Sequence, residues 1–147
     1  MPSSASPCLA SIALERIPAV RWATKVDIYH GLVRGRAFLA AEFANGATLK
    51  GAADAACMSP FHFNRLFRAL FRQSPHEYLT SIRLYEAKRL LRTTEIPINS
   101  IAVEVGFLQP GSFTRRFRQR YGIPPRSYRR QSKILKLRKI GTLHAIS

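Results

Sequence analysis

Apolar residues recur at intervals of three and four along most of the chain, the spacing that places them on one face of an α-helix. The pattern predicts helices over residues 27–44, 49–56, 60–72 and 75–92, then short helices after Pro97, over 110–121 and from Pro125. The buried face of the helix over 75–92 is expected to hold Tyr78, Ile82, Leu84, Tyr85, Leu90 and Leu91. The sequence therefore predicts an all-α protein.

Residues suited to helix capping stand at the start of several of these segments. Thr48 and Ser59 each precede a helical segment, and each supplies a side-chain oxygen that can accept a backbone N–H of the first turn. Pro60 follows at the first helical position, where its missing N–H costs nothing. Ser74 and Glu77 have the spacing of a capping box. Local sequence thus predicts where three of the helices begin.

One pattern occurs twice in the chain. Residues 59–79 read SPFHFNRLFRALFRQSPHEYL, and residues 109–129 read QPGSFTRRFRQRYGIPPRSYR. An offset of fifty pairs Pro60 with Pro110, Phe63 with Phe113, Arg65 with Arg115, Phe67 with Phe117, Arg68 with Arg118, Pro75 with Pro125 and Tyr78 with Tyr128. Chance would give about one identity in such a window, because a residue type has a frequency of roughly 5–7 %. The repeat indicates one supersecondary unit used twice.

Each copy has the layout of a helix-turn-helix. A short helix is followed by a tight turn, at Cys57-Met58 in the first copy and at Gly106-Phe107 in the second, and then by a longer helix. The inner faces of the longer helices hold Phe63, Leu66, Phe67, Leu70 and Phe71 in the first copy and Phe113, Phe117 and Tyr121 in the second. The outward faces hold Phe61, Asn64, Arg65 and Arg68 in the first copy and Gly111, Thr114, Arg115 and Arg118 in the second.

The net charge of the chain indicates what kind of molecule it binds. The chain has 24 Lys and Arg against 8 Asp and Glu, a net charge of +16, and its last acidic residue is Glu104. Basic groups that neutralise phosphates release condensed counterions and so gain affinity for nucleic acid. We therefore expect a nucleic acid as partner, with an anionic membrane surface as the main alternative.

Other chemistries find little support in the sequence. The two cysteines, Cys8 and Cys57, and the four histidines show neither metal-ligand spacing nor a nucleophile with a base. We expect no catalytic residue, no metal, no cofactor and no enzymatic activity. No apolar run reaches the roughly 18–20 residues of a membrane span, and no secretory signal is visible at the N-terminus. A cytoplasmic protein is the simplest interpretation.

Two longer stretches carry a family resemblance. The segments SPFHFNRLFRALFRQSPHEYLTSIRLYEAKRLLRTT and SIAVEVGFLQPGSFTRRFRQRYGIPPRSYRR resemble the DNA-binding domain of the AraC/XylS transcriptional regulators. The resemblance runs from about Thr48 to Arg130, a little over half of the chain. It is carried most specifically by Arg83-Leu84, Ala87, Leu90-Leu91, Ile101-Ala102, Gly106-Phe107, Phe113, Arg115, Phe117, Pro125 and Tyr128.

The resemblance implies seven helices in two helix-turn-helix subdomains joined by the helix over 75–92. We expect a poorly ordered arm over 1–24, the first subdomain with the joining helix over 25–95, the second subdomain over 96–132 and a basic tail over 133–147. Only some 45 residues precede the match, too few for a large ligand-binding domain. The chain is therefore expected to be a stand-alone regulator or a fragment of a longer one.

The resemblance also implies that two recognition helices, over 60–72 and 110–121, enter successive major grooves of double-stranded DNA. The joining helix spans about 27 Å, of the same order as the roughly 34 Å of one duplex turn. A single chain would then read an asymmetric site as a monomer. The expected partners are double-stranded DNA and RNA polymerase, and the expected function is transcription regulation, as an activator, with repression as the alternative.

Three residues of the first recognition helix match positions that face bases in the family. Asn64 can bind adenine and Arg65 can bind guanine bidentately, while Phe61 can contact a thymine methyl. The competing interpretation gives Arg65 a phosphate contact and leaves Asn64 and Phe61 facing solvent. Ser59 caps the helix in either case, and its hydroxyl is also a candidate phosphate contact.

The second recognition helix offers Thr114 and Arg115 as its base-facing candidates. Gly111 departs from the family pattern, because it presents no side chain and destabilises a helix by about 1 kcal/mol relative to alanine. We expect weaker base reading by this half, or close approach of its backbone to DNA. The remaining arginines are expected to contact phosphate or to form a solvated basic face: Arg68, Arg118, Arg120, Arg126, Arg129 and Arg130.

Two other functions stay open at this point. A nonspecific architectural DNA-binding protein would share the charge and the helices but would not prefer one DNA sequence. A membrane-active cationic helix over 133–140 would bind anionic lipid without using the helix over 60–72.

Overall fold

The computed structural model describes residues 22 to 144. These residues form seven α-helices and no β-strand: α1 (Trp22–Ala41), α2 (Leu49–Ala55), α3 (Pro60–Phe71), α4 (Pro75–Thr93), α5 (Ile98–Glu104), α6 (Pro110–Tyr121) and α7 (Pro125–His144). The expectation of an all-α fold with about seven helices is confirmed.

The described residues divide into two compact units, one up to Thr80 and the other from Ser81 onward. Helices α1, α2 and α3 lie in the first unit, and α5, α6 and α7 lie in the second. Helix α4 begins in the first unit and ends in the second, so it contributes side chains to both.

The first unit packs α1 and α2 against the inner face of α3. Its buried cluster consists of Leu32, Leu39, Ala52, Ala53, Ala56, Phe63, Leu66, Phe67 and Leu70. Gly31 allows α1 to lie close to the C-terminal end of α2, because a Cβ added at Gly31 would lie 2.7 Å from the carbonyl oxygen of Ala56. The apolar face expected for α3 is thus confirmed, with Phe71 half-buried at the edge of the cluster.

The second unit repeats this arrangement with α5 and α6. Its buried residues are Leu84, Ala87, Leu90, Leu91, Ile101, Ala102, Val105, Phe113, Phe117 and Pro125. The rings of Phe113 and Phe117 lie 5.7 Å apart, and Phe117 lies 4.7 Å from Tyr121. Offset aromatic contacts at such distances add to the stabilisation from burial.

The predicted caps are present. Thr48 Oγ1 accepts the N–H of Gly51 at 3.0 Å, and Ser59 Oγ accepts the N–H of His62 at 3.2 Å. Ser74 and Glu77 form a reciprocal capping box, in which the Glu77 carboxylate accepts the Ser74 N–H at 2.7 Å. These contacts explain why the three helices begin where the sequence indicates.

The two turns differ by one residue. Cys57 adopts the left-handed region with φ 56° in the first turn, and Gly106 does so with φ 90° in the second. Helices α2 and α5 are offset by 49 residues, whereas α3 and α6 are offset by 50. The second turn therefore holds an additional residue before α6, and Leu108 there is 98 % exposed.

Helix α1 differs from its prediction at both ends. It begins at Trp22 and ends at Ala41, instead of covering 27–44. Residues after Ala41 form a turn in which the N–H groups of Asn45 and Ala47 both bond to the Glu42 carbonyl. Of the arm expected over 1–24, residues 1–21 lie outside the described part of the chain.

Helix α7 is longer than the short helix predicted from Pro125. It continues to His144 through most of the segment expected to be a tail. Lys133 Nζ donates to the Glu95 carboxylate at 2.6 Å, and Lys136 Nζ donates to the Arg92 carbonyl oxygen. Lysine, leucine and arginine also have high helix propensities, so these contacts extend a segment that already favours helix.

Tyr85 is the main error in the predicted core. Its side chain is 69 % exposed, whereas Leu79 and Ala87 of the same helix are buried.

No helix within residues 22–144 is long and apolar enough to cross a membrane. In the same part of the chain, no group of three or more His, Cys, Asp or Glu residues is placed to hold a metal ion.

Candidate DNA interface

The outward face of α3 carries every side chain expected there from the sequence. Asn64, Arg65 and Arg68 are exposed, and Phe61 is 79 % exposed although it is a large apolar residue. They recur at intervals of three and four and therefore share one face of the helix. Ser59 is exposed at the N-terminal end of this face, with its hydroxyl accepting a helix N–H.

The outward face of α6 is built in the same way. Gly111, Thr114, Arg115 and Arg118 are all exposed. Together with Gln119 and Gly122 they line a concave surface on this side of the helix. The sequence did not lead us to predict Gln119 and Gly122 on this surface. Gln119 lies four residues after Arg115, however, a spacing that places both on the same face of a helix.

The two helices begin differently. The N–H of His62 in α3 is bonded by the Ser59 side chain, whereas Gln109 makes no side-chain cap at the start of α6. The first turn of α6 then contains Pro110 and Gly111. The start of α6 is therefore less protected by its own side chains than the start of α3.

The arginines of both faces keep their charge available for an anion. Among residues 22–144 the ion pairs are Lys50 with Asp54, Arg89 with Glu86 and Lys133 with Glu95. None of them includes an arginine of the outward faces: Arg65, Arg68, Arg115 and Arg118. Neither α3 nor α6 has an acidic residue in its first turn. Each face thus presents guanidinium groups that no ion pair within the described residues engages.

One basic residue expected on the surface is turned inward. Arg129 is half-buried, and its Nη2 donates to the Ile96 carbonyl oxygen at 2.7 Å. Its Nε is buried and has no hydrogen-bond partner among residues 22–144. Arg129 therefore holds α7 to the segment before α5, while Arg120, Arg126 and Arg130 are exposed.

A cation stacks on aromatic rings at the C-terminal end of both α3 and α6. The Arg36 guanidinium lies 5.0 Å from the Phe71 ring and 5.2 Å from the Tyr78 ring, and Arg36 Nε donates to the Tyr78 hydroxyl. In the second unit Lys88 lies 4.9 Å from the Tyr121 ring and 5.9 Å from the Tyr128 ring. Cation–π contacts of this kind hold the C-terminal ends of α3 and α6 against their own units. The sequence repeat did not reveal them, because the cations come from outside the repeat.

Burial also affects one of these aromatic residues. Partial burial raises the pKa of the Tyr121 hydroxyl above its usual value. Tyr121 therefore stays neutral at physiological pH, and Lys88 stacks on an uncharged ring.

Comparison with known families identifies the double unit. A family model described as a helix-turn-helix domain matches residues 52–131. The chain is 35 % identical over 85 residues to the HTH-type transcriptional regulator AlkR of Acinetobacter baylyi, a match covering 58 % of this chain and 28 % of that protein. It is 38 % identical over 71 residues to the regulatory protein SoxS of Salmonella typhimurium, covering 48 % of this chain and 66 % of that protein.

A third relative is the lactose operon transcription activator of Staphylococcus xylosus. The chain is 29 % identical to it over 116 residues, covering 78 % of this chain and 41 % of that protein. The match therefore spans less than two thirds of the length of each of these relatives.

Solved structures show the same fold. The DNA-binding domain of AdpA, determined in complex with a target DNA, superposes with a TM-score of 0.66 at 28 % identity over 70 % of this chain and 93 % of that one. The C-terminal domain of the response regulator AraT from Geobacillus stearothermophilus superposes with a TM-score of 0.65 at 31 % identity, covering 69 % and 84 %.

Proposed function

Because the chain belongs to the AraC-type helix-turn-helix family of transcription regulators, we propose that it binds double-stranded DNA sequence-specifically. In this proposal α3 and α6 are the recognition helices, and they occupy successive major grooves. The family consists of DNA-binding regulators and not of enzymes.

One observation carries the proposal. Two arginines recur fifty residues apart on the outward faces of α3 and α6, Arg65 with Arg115 and Arg68 with Arg118, and all eight outward positions named for the two helices are exposed. Polar and basic side chains on one face of an exposed helix are the groups that read base edges and neutralise phosphates. A purely structural surface does not require the same arginines at the same places in two units.

The individual roles follow from side-chain chemistry. We propose that Asn64 reads an adenine and Arg65 a guanine, since an amide and a guanidinium bond bidentately to these bases. Phe61 contacts a thymine methyl, and Ser59 caps α3 beside the DNA backbone. Thr114 supplies a further base contact from the second unit.

Arginines at the equivalent positions of α6 take the equivalent roles. Arg115 stands fifty residues after Arg65, so we assign it a base contact. Arg68 and Arg118 lie one helical turn further along and contact phosphates, which positions each helix without reading sequence. Gly111 takes part through its backbone.

We further propose that the chain binds DNA as a monomer and that RNA polymerase is its second partner. We also propose that it acts as an activator and that it is located in the cytoplasm. The activator role is supported by the similarity to a lactose operon transcription activator. Monomeric binding is supported by the presence of two recognition helices in one chain.

In vitro selection of duplexes from a random library tests the proposal. The chain should enrich one sequence and should bind it at least roughly 10³-fold more tightly than random duplex at the same salt concentration. Hydroxyl-radical footprinting should then protect two adjacent major grooves. A ratio near one would support the architectural alternative, and protection of a single groove would contradict the use of both helices.

A further inference from the structure

Gly111 lies on the outward face of α6 at the position that Phe61 occupies in α3. The offset of fifty that aligns the two helices pairs these residues, and both are exposed. The first recognition helix therefore presents a large ring at a point where the second presents bare backbone. This is a pronounced chemical difference between the two outward faces.

The fold does not require glycine at this position. A Cβ added at Gly111 would meet no atom within 4 Å, and its φ is not in the left-handed region. Several other glycines have a visible reason, whereas Gly141 in α7 has none but lies outside the two outward faces. A Cβ at Gly51 would lie 2.7 Å from the Phe38 ring, and Gly106 and Gly122 have φ of 90° and 82°.

Glycine at Gly111 is unfavourable for the isolated helix. It is the second residue of α6, and glycine loses more backbone freedom on folding than alanine does, so it brings no gain in stability there. No contact within residues 22–144 requires the glycine, and unlike Gly141 it lies on the outward face of a helix assigned to DNA binding.

The surroundings of Gly111 indicate what approaches it. Gly111 lines the concave surface on α6 together with Thr114, Arg115 and Arg118. Thr114 and Arg115 lie three and four residues further along, so a side chain at 111 would stand beside them on the same face. The basic character of this surface fits the DNA of the proposed function, on which the inference rests.

We propose that Gly111 is a specificity-determining position, where the backbone of α6 lies directly against the DNA in the major groove. Absence of a side chain lets the helix approach closely, which is a recurrent use of glycine at ligand contacts. At this position the half-site bound by α6 is selected for tolerating a close backbone, beside the side chains of Thr114 and Arg115, whereas the half-site bound by α3 meets the Phe61 side chain. The two half-sites therefore differ in the kind of contact made at this one position.

The test compares Gly111→Ala with Gly141→Ala. Both substitutions add a methyl group to an exposed helical glycine where a Cβ meets nothing within 4 Å. Affinities are measured for the duplex selected by the wild-type chain and for a random duplex, and thermal unfolding is followed for both variants. Gly111→Phe, which copies Phe61 into the second helix, serves as the stronger perturbation.

We expect Gly111→Ala to unfold at the same temperature as the wild type or higher. Its affinity for the selected duplex should fall by roughly 5- to 100-fold, comparable with the effect of a mismatched base pair, while random-duplex affinity changes little. Gly111→Phe should lose more, and Gly141→Ala should bind both duplexes as the wild type does. Repeating the selection with Gly111→Ala should alter base preference only in the half-site of α6.

Three results would overturn the inference. Wild-type affinity of Gly111→Ala for the selected duplex would show that the glycine makes no close contact, and would leave the proposed function intact. An equal loss on both duplexes would show that the position does not affect specificity. A wild-type chain that binds selected and random duplexes equally would overturn the proposed function and this inference together.

Discussion

At the scale of single residues, Arg65 and Arg118 have the same side chain on equivalent faces but different proposed partners. Both are exposed, and neither belongs to the ion pairs formed within residues 22–144. A base contact depends on the DNA sequence, whereas a phosphate contact does not. The two arginines therefore provide a direct comparison between the two kinds of contact.

Arg65→Ala should weaken binding to the selected duplex by about 1–3 kcal/mol and relax the preference at one base position. The reason is the loss of a bidentate contact to guanine. Titrations on the selected duplex and on duplexes altered at each position measure both effects. An equal loss on random DNA would rule out base reading by this residue.

Arg118→Ala should weaken binding to selected and random duplexes alike and reduce the slope of log affinity against log salt by about one. The reason is that the variant releases one fewer counterion when it binds DNA, whereas no base contact is lost. Titrations at several salt concentrations provide the slope. A loss confined to one DNA sequence would contradict the phosphate role.

Glu77 makes stability depend on pH through the capping box of α4. The hydrogen bond from the Ser74 N–H holds the pKa of the Glu77 carboxyl below its usual value of 4.5, with further help from the Ser74 hydroxyl. Because the pKa is lower in the folded chain than in the unfolded one, the stabilisation is complete above 4.5 and is lost as pH falls through the folded pKa.

Thermal unfolding of the wild type and of Glu77→Gln should therefore diverge with pH. The substituted side chain retains an acceptor but cannot titrate, so the melting temperature of Glu77→Gln should be lower than that of the wild type at neutral pH. As pH is lowered below 4.5 the difference between the two proteins should shrink. A difference that stays constant over this range would contradict the role of the carboxylate charge.

At the scale of helices, α3 and α6 are each divided into an aromatic inner face and a cationic outer face. Phe67 is fully buried in α3 and lies 4.5 Å from Phe71 and 5.3 Å from Phe63. Phe61, on the same helix, is exposed. Two phenylalanines six residues apart thus have opposite surroundings.

Phe67→Ala should destabilise the first unit by about 3–5 kcal/mol, since it removes a buried ring and leaves a cavity. Phe61→Ala should change stability by no more than about 0.5 kcal/mol, because no core contact is lost. Chemical denaturation monitored by circular dichroism measures both. Similar destabilisation by the two substitutions would contradict the division of the faces.

At the scale of the whole molecule, the distribution of charge matters more than its total. The chain carries a net charge of +16, and no acidic residue follows Glu104, so α6 and α7 contain basic residues without acidic ones. Repulsion among these groups is relieved when phosphates neutralise them. DNA binding should therefore depend steeply on salt.

Affinity for DNA should fall by about 10³–10⁵ between roughly 50 and 200 mM monovalent salt if six to ten phosphates are contacted. The stoichiometry should be one chain per duplex, because one chain supplies both recognition helices. Fluorescence anisotropy at several salt concentrations and sedimentation of the complex measure these quantities. Affinity that does not change with salt would contradict an interface built on phosphates.

The sequence predicted which side chains of α3 and α6 face outward better than it predicted the ends of the helices. All nine proposed contact residues are exposed, because the period of three and four that buries Phe63 and Phe67 also turns Asn64 and Arg65 outward. Tyr85 was wrongly predicted to be buried, because it is an aromatic residue next to the buried positions of α4 in the helical pattern. Whether a neighbouring element covers it cannot be judged from spacing.

Local sequence by itself determined the caps, the two turns and the inner and outer faces of α3 and α6. The physical reason is that these features depend on residues within about one turn of each other, such as Ser59 with the His62 N–H. Tertiary structure alone decided that Lys133 of α7 meets Glu95, that Arg129 turns inward and that Arg36 stacks on Tyr78, 42 residues away. Such contacts depend on helices distant in sequence packing together, and no local pattern specifies which side chains then meet.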